Sequence, residues 1–471
     1  MSAWHLIGVG GAGMSVISAL LAARGETVSG SDARASATVE ALRERGVEVA
    51  VGHDAVHVEA LPAGARVVVS TAVRESNPEL AAARERGLDV LHRSEALAWL
   101  MRDRRVVAVA GAHGKTTTSA MLAVALTEAG LDPSFAIGGA VVGGPGALSG
   151  AGSGAGDLFV AEADESDGSF LAYSPYVALV TNVEPDHLDH FGSREAFEQV
   201  FADFAARVRD DGVLVACLDD DGARRLADRV RAEGRVRVVT YGTSDDADVV
   251  LDPSTGAVRF RAPLAAVPDT AVSDSAVPDG GPRLELSVPG THNLLNASGA
   301  LAVLALLGVS VPTAVAGLAA FRGTGRRFEE RGSVAGVRVV DDYAHHPTEV
   351  TALLRAARTV AGTGRVLVLF QPHLFSRTAH FASEFATALS LADLAVVTDV
   401  YAAREDPVEG VTGETITRHM TPGVGLFVAD RTEAALRVAA HARPGDLVLT
   451  VGAGDVTELA PVVLAALEDA P

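Results

Sequence analysis

An apolar run, Val106-Val107-Ala108-Val109-Ala110, leads into Gly111-Ala112-His113-Gly114-Lys115-Thr116-Thr117. A buried-type strand that turns through glycines into Gly-Lys-Thr at a helix start is suited to hold phosphate. Backbone N–H groups of the turn face the anion, the helix N-terminus adds its positive end, the lysine reaches β- and γ-oxygens, and the threonine hydroxyl can hold Mg²⁺. Gly111, Ala112, His113, Gly114, Lys115, Thr116 and Thr117 are therefore expected to bind nucleotide, with Lys115 catalytic and Thr116 at the metal. Val109 stands where the longer G-x-x-x-x-G-K-[ST] form has its first glycine, so the loop is a shortened one. Of the 39 basic residues in the chain, Lys115 is the only lysine. An ammonium is a compact charge on a thin stem and a guanidinium a wide planar fork, so a lone lysine marks a place where the fork does not fit.

A Mg²⁺-nucleotide site also needs acidic oxygen at the end of a neighbouring strand. Asp157-Leu158-Phe159-Val160-Ala161-Glu162-Ala163-Asp164-Glu165-Ser166-Asp167 supplies several carboxylates after an apolar run, and these repel one another unless a cation joins them. A second apolar run, Val177–Thr181, opens into Asn182-Val183-Glu184-Pro185-Asp186-His187-Leu188-Asp189-His190. A zinc centre would want more His or Cys at tight spacing.

Near the N-terminus, Gly8-Val9-Gly10-Gly11-Ala12-Gly13 fits G-x-G-x-x-G between a strand and a helix, with Asp32 at the end of the next strand. Alone this reads as an NAD(P) fingerprint, but any pyrophosphate can sit on such a turn, that of a UDP-sugar included. Late in the chain, Asp342-Tyr343-Ala344-His345-His346, Gln371-Pro372-His373 with Arg377, and Asp399-Val400-Tyr401 with Arg404 each follow a strand-like run. The carboxyl ends of strands are where open α/β sheets bind ligands.

The elements that must position these groups alternate throughout. Short Val-rich runs (His5–Gly8, Glu26–Val28, Val67–Ser70) interleave with Ala/Leu/Arg/Glu helical stretches, a new strand begins after Arg102-Asp103-Arg104-Arg105, and Val337–Val340, Arg365–Phe370, Leu394–Thr398 and Leu447–Val451 repeat the pattern. A chain of 471 residues exceeds one core, so three α/β domains are expected at 1–103, 104–323 and 324–471. Ala297–Phe321 is apolar, but Gly308 and Pro312 divide it into two packed helices rather than a membrane span. The Gly/Ser/Ala-rich stretch 143–156 and the Pro/Asp-rich stretch 263–282 read as flexible connections. A net charge of −21 disfavours nucleic acid and anionic membrane as partners, so phosphate must be held by local cations. The single cysteine, Cys217, and an N-terminus without a basic, apolar signal segment point to the cytoplasm.

The strings Gly111-Ala112-His113-Gly114-Lys115-Thr116-Thr117-Thr118, Glu162-Ala163-Asp164-Glu165-Ser166-Asp167 and Asn182-Val183-Glu184-Pro185-Asp186-His187-Leu188-Asp189 resemble the central domain of the Mur ligases, and the likeness spans nearly the whole chain. It implies an N-terminal Rossmann-like UDP-sugar domain, a central P-loop ATPase-like domain with a mostly parallel sheet, and a C-terminal Rossmann-like α/β domain. It also implies an activity: ATP-dependent joining of L-alanine to the lactyl carboxylate of UDP-N-acetylmuramate through an acyl phosphate, giving ADP and phosphate, in peptidoglycan precursor synthesis.

Residue by residue, the resemblance makes Glu162 and His187 ligands of Mg²⁺, His187 also serving catalysis. His292 and Asn293 of Pro289-Gly290-Thr291-His292-Asn293 approach the adenine, Asp342 the ribose and Arg327 the terminal phosphate. Gly11, Ala12, Gly13, Met14 and Ser15 line the diphosphate of the UDP-sugar, with Asp32 and Ser70 assisting, and His345, His373 and Arg377 approach the acceptor and the amino acid. Two positions depart from the family: some sister ligases carry a carbamylated lysine at the second metal, which a chain with Lys115 alone cannot supply, and Leu374 stands where an arginine is expected. Three other readings stay open at this point. They are a Mur-type ligase adding a peptide to the same sugar, an NAD-dependent oxidoreductase with an accessory ATPase domain, and a non-enzymatic UDP-sugar module.

Overall fold

Among the described residues, three separate β-sheets organise the chain, a five-stranded, a nine-stranded and a six-stranded one. The computed structural model describes residues 2–142, 150–186, 191–262, 264, 281–403 and 405–469. His187 and Arg404, both singled out above, lie outside the described residues.

The first sheet is parallel, in the order Glu48–Val51, Thr27–Asp32, Ala3–Ile7, Arg66–Val69, Asp89–His92. The order reverses beside the central strand Ala3–Ile7, which creates a crevice at its carboxyl end, where Gly8 begins the glycine-rich turn. Behind the sheet, Glu79 is wholly buried at the start of the helix Pro78–Glu85 and accepts hydrogen bonds from Ser31 at 2.5 Å and from the His57 ring at 2.6 Å, with His5 at 3.5 Å. Burial opposes its charge, yet His5, Ser31 and His57 hold its carboxyl down at about 2.

In the second sheet the phosphate-loop strand Arg105–Ala110 is central. Leu158–Glu162 pairs with it on one side and Val177–Val180 on the other, both parallel. Runs such as Val106–Ala110 and Val213–Cys217 are buried on both faces, the expected state of a parallel sheet covered by helices. Antiparallel pairs close the two ends: Val249–Leu251 with Val258–Phe260, and Ser134–Ala136 with Ala151–Gly152. The last of these lies in the stretch 143–156 expected to be a loose connection, so Ala151 and Gly152 within it are sheet edge instead.

The third sheet runs Glu329–Val334, Val337–Asp342, Leu447–Val451, Val366–Phe370, Leu394–Val397, Gly425–Phe427, with only the first pair antiparallel. The apolar stretch 297–321 forms two helical segments as the breakers require: Thr291–Leu306 ends before Gly308, and Val311–Ala319 starts with Pro312 in its first turn and Ser310 as its cap. Packing divides the chain into two compact units, residues 1–285 with 296–321, and residues 286–295 with 322–471. The first two sheets thus share a unit, and the segment carrying His292 and Asn293 groups with the third sheet although it precedes the expected boundary at 323.

Candidate active site

The strand Arg105–Ala110 delivers the chain into the loop at Gly111, whose φ is +135°. A Cβ there would lie 2.1 Å from the Thr181 hydroxyl oxygen, so only glycine permits this approach to the neighbouring strand end. Gly114, at φ +83°, caps the helix Lys115–Glu128 in the left-handed region. The loop between them is braced by the second acidic segment: Asn182 accepts from the His113 N–H at 3.0 Å, while Asn182 and Thr181 donate to the His113 carbonyl at 2.9 and 2.6 Å. The His113 ring lies 3.3 Å from Glu184.

Lys115 is turned inward. Its ammonium donates to the carbonyls of Gly111 at 2.6 Å and Ala112 at 3.2 Å, and pairs with buried Glu165 at 2.9 Å. Thr116 donates to one Glu162 oxygen at 2.9 Å, and the other Glu162 oxygen accepts from the Gly138 N–H at 2.6 Å. Thr117 is buried at the back of the helix start.

The electrostatics follow from burial and crowding. Burial pulls the Lys115 ammonium down, but Glu165, Asp164 and Glu162 together hold it above its ordinary value. Burial pushes the Glu165 carboxyl up to about 7 against the pull of Lys115. Burial likewise opposes the charge of Asp164, yet Lys115 and Arg93 keep it at about 2. The result is a fixed cation among carboxylates at the end of the central strand.

Elsewhere in this unit a cleft of about 900 Å³ opens at the first sheet's crevice, walled by Gly11, Ala12, Gly13, Met14, Asp32 and Ser70 among others. Asp32 accepts from the Gly10 N–H at 2.9 Å and so shapes the turn. Ser15 differs from expectation: it is buried, its hydroxyl donates to the Ala12 carbonyl at 3.0 Å, and it backs the turn rather than walling the cleft.

In the second unit the polar groups cluster at the carboxyl edge of the third sheet. Asp342 accepts from the N–H groups of Phe328 and Ala344, each at 2.8 Å, and burial raises its carboxyl to about 6 against the pull of Arg327. Glu349 sits 3.6 Å from Arg327, accepts from the His345 N–H at 3.0 Å, and so joins two predicted site residues that are distant in sequence. The rings of His345 and His373 meet edge-on at 5.9 Å, and His373 stacks on Tyr401 at 5.8 Å. Arg377 is buried in the helix Phe375–His380, and Leu374, the residue before that helix, has φ +68°. Asn293 is buried and donates to the Pro289 carbonyl at 2.6 Å, while His292 is exposed in the same helical turn.

The residue types and strand ends were readable from sequence, but the braces were not. Thr181 and Asn182 act on His113, 68 and 69 positions back, Glu349 acts on Arg327, 22 positions back, and on His345 through one helical turn, and Arg93 pairs with Asp164 at 2.9 Å across 71 positions. The one available signal was position: Thr181 and Asn182 end a strand next to the phosphate loop, and Glu349 follows His345 at the i,i+4 spacing of a helix.

Comparison with known proteins places these features in one family. A model described as "Mur ligase family, catalytic domain" matches residues 3–105, one described as "Mur ligase middle domain" matches 109–304, and one described as "Mur ligase, glutamate ligase domain" matches 326–454. A UDP-N-acetylmuramate–L-alanine ligase from Kineococcus radiotolerans is 57% identical over 98% of this chain and 95% of its own length. The corresponding ligase of Paenarthrobacter aurescens is 55% identical over 98% of this chain and 96% of its own. Among solved structures, UDP-N-acetylmuramate–alanine ligase from Thermotoga maritima superimposes with a TM-score of 0.78 at 28% identity over 99% of both chains, and a murein peptide ligase from Psychrobacter arcticus with 0.70 at 26% over the whole of both. With family models covering all three sheets and relatives above half identity along nearly its full length, this chain belongs to the Mur ligase family.

Proposed function

We propose that this chain joins L-alanine to the lactyl carboxylate of UDP-N-acetylmuramate at the expense of ATP, in the cytoplasm, as a step of peptidoglycan precursor synthesis. The observation that carries the reading is the central strand end: a lysine-bearing phosphate loop flanked on both sides by acidic strand ends, in one unit with a cleft built on a glycine-rich turn. Relatives named for this reaction share more than half of the sequence.

A carboxylate does not condense with an amine in water because hydroxide is a poor leaving group. Phosphorylation by ATP converts it to an acyl phosphate, which the amine of L-alanine attacks with loss of phosphate. In this reading the amides of residues 111–117 cradle the nucleotide phosphates, and Lys115 leaves its loop carbonyls to neutralise charge on the transferring group. The residues present fit Mg²⁺: Thr116 and Glu162 offer hard oxygens 2.9 Å apart beside the loop, and we assign both to it, with His187 at a second metal position. When bound, Mg²⁺ would offset phosphate charge. Arg327 is assigned to the terminal phosphate, Asp342 to the ribose, and His292 and Asn293 to the base. Gly11, Ala12, Gly13, Met14, Asp32 and Ser70 are assigned to the UDP-sugar, and His345, His373 and Arg377 to the acceptor and amino acid.

The test is phosphate release from ATP and Mg²⁺ with UDP-N-acetylmuramate, screened across single amino acids and a short peptide. Release that requires the UDP-sugar and L-alanine is expected. Release with the peptide alone would move the chain to the peptide-adding branch, and none under any combination would overturn the proposal.

A further inference from the structure

The cleft on the first sheet has two permanent cations in its wall, Arg74 and Arg93. Arg74 is exposed to solvent. Arg93, the first residue of the helix Arg93–Met101, is mostly enclosed and already engaged: its guanidinium lies 2.9 Å from Asp164 and 3.6 Å from Asp167. Its other nitrogen faces the glycine-rich turn: a Cβ built on Gly13 would lie 3.6 Å from Nη1, so the absent side chain leaves that space open between them. The aspartates belong to the acidic strand end that follows Glu162 and surrounds Lys115, and Asp164 also borders the cleft. One guanidinium therefore faces the turn proposed for diphosphate and pairs with the carboxylates beside the phosphate loop.

We propose that Arg93 is a positioning residue shared between these two places, so that UDP-sugar and Mg²⁺-nucleotide each bind more tightly when the other is present. The inference rests on the function proposed above. In a chain of net charge −21, a diphosphate entering the cleft competes with Asp164 and Asp167 for Arg93. Drawing the guanidinium toward the turn leaves the acidic strand end more negative and more receptive to Mg²⁺. Conversely, Mg²⁺ at that strand end offsets the aspartates and frees Arg93 for the diphosphate. Coupling between two sites is reciprocal, and typical factors are roughly 5- to 150-fold.

Calorimetric titration of UDP-N-acetylmuramate into the full chain, with and without Mg²⁺ and a non-hydrolysable ATP analogue, reads the coupling factor directly. In wild type a factor of at least about 5 is expected. Arg93→Gln should weaken UDP-sugar binding and bring the factor to one, and Arg93→Lys, which keeps the charge, should restore part of both. Because Arg93→Gln also removes a packed side chain, the paired variant Asp164→Asn with Asp167→Asn supplies an independent arm: with Arg93 released, UDP-sugar should bind more tightly than to wild type when no nucleotide is present. A purely structural role for Arg93 predicts no such gain. Wild type that turns over but shows no coupling, Arg93→Gln with the wild-type factor, or a paired Asn variant that binds no more tightly would each overturn the inference alone, whereas failure of wild type to bind UDP-N-acetylmuramate would overturn the proposed function with it.

Discussion

Replacing Lys115 by arginine keeps a permanent cation and changes only its shape. The ammonium donates to carbonyls at 2.6 and 3.2 Å and pairs with Glu165 at 2.9 Å, inside a loop whose path is fixed by Gly111 against Thr181. A planar guanidinium is wider than an ammonium, and forcing it into contacts this close carries an overpacking cost of about 1–3 kcal/mol. The loop amides that should cradle phosphate are the atoms it would displace. Losing one aligned donor at a charge-developing centre costs roughly 10²–10³ in kcat. Lys115→Arg should therefore release phosphate at least about a hundredfold more slowly than wild type, close to Lys115→Ala, while both still bind UDP-N-acetylmuramate in calorimetry.

Removing the charge altogether, as in Lys115→Ala, has a pH signature. Glu165 stands at about 7 with Lys115 beside it, above the 4.5 of a free glutamate. A carboxyl raised in the folded state favours folding fully below its unfolded value, and that contribution is lost as pH rises through the folded value. Removing the ammonium lifts the folded value further, so the loss continues above neutrality. Lys115→Ala should thus be more destabilised relative to wild type near pH 8.5 than near pH 6, by about 1.4 kcal/mol for each further unit of rise. Turnover of Lys115→Arg within a few-fold of wild type would refute the shape argument, and a pH-independent deficit in Lys115→Ala would refute the electrostatic one.

Isotope transfer tests the activation step: ¹⁸O placed in the lactyl carboxylate should appear in released phosphate, and its absence would exclude an acyl phosphate. Glu162→Ala should raise the Mg²⁺ concentration needed for half-maximal activity, and His187→Ala should mainly lower kcat; wild-type values in both would return these strand ends to solvated loops. Turnover in bicarbonate-stripped buffer should be unchanged, because no second lysine exists to carbamylate. Glu79→Gln should lower stability by about 3–5 kcal/mol at neutral pH by stripping a buried partner from His5 and His57. Since the folded value of Glu79 is depressed to about 2, its contribution is present above 4.5 and lost as pH falls toward 2, so the deficit measured by denaturant unfolding should shrink across that window.

Much of this was legible in residue order because the chemistry sits at strand ends, and strands announce themselves by Val-rich runs. Val106–Ala110, Val177–Thr181 and Val337–Val340 coincide with strands of the structure, and the polar residues after them fall on carboxyl edges. The need for acidic oxygen pointed to a neighbouring strand, but that Leu158–Glu162 and Val177–Val180 flank the loop strand on opposite sides could not be read, since strand order is set by how helices pack over the faces and not by local pattern. The Ala151–Gly152 edge was missed for a related reason: two small residues carry no periodic signal, and their pairing with Ser134–Ala136 supplies the structure. Arg93 escaped notice because an arginine opening a helix looks like any solvated charge until its distant partners are placed.

The setting of Lys115 has a practical consequence for chemical labelling. It is the only side-chain amine in the chain, and amine-acylating reagents attack only the deprotonated form. Its contacts with Glu165 and two carbonyls keep it protonated and mostly enclosed, its side chain 14% exposed, so the resting fold should shield it from such reagents. Any acylation of this one residue would then count molecules in which the loop has let the ammonium go, and its rate would give a single-site clock for that opening without an engineered probe.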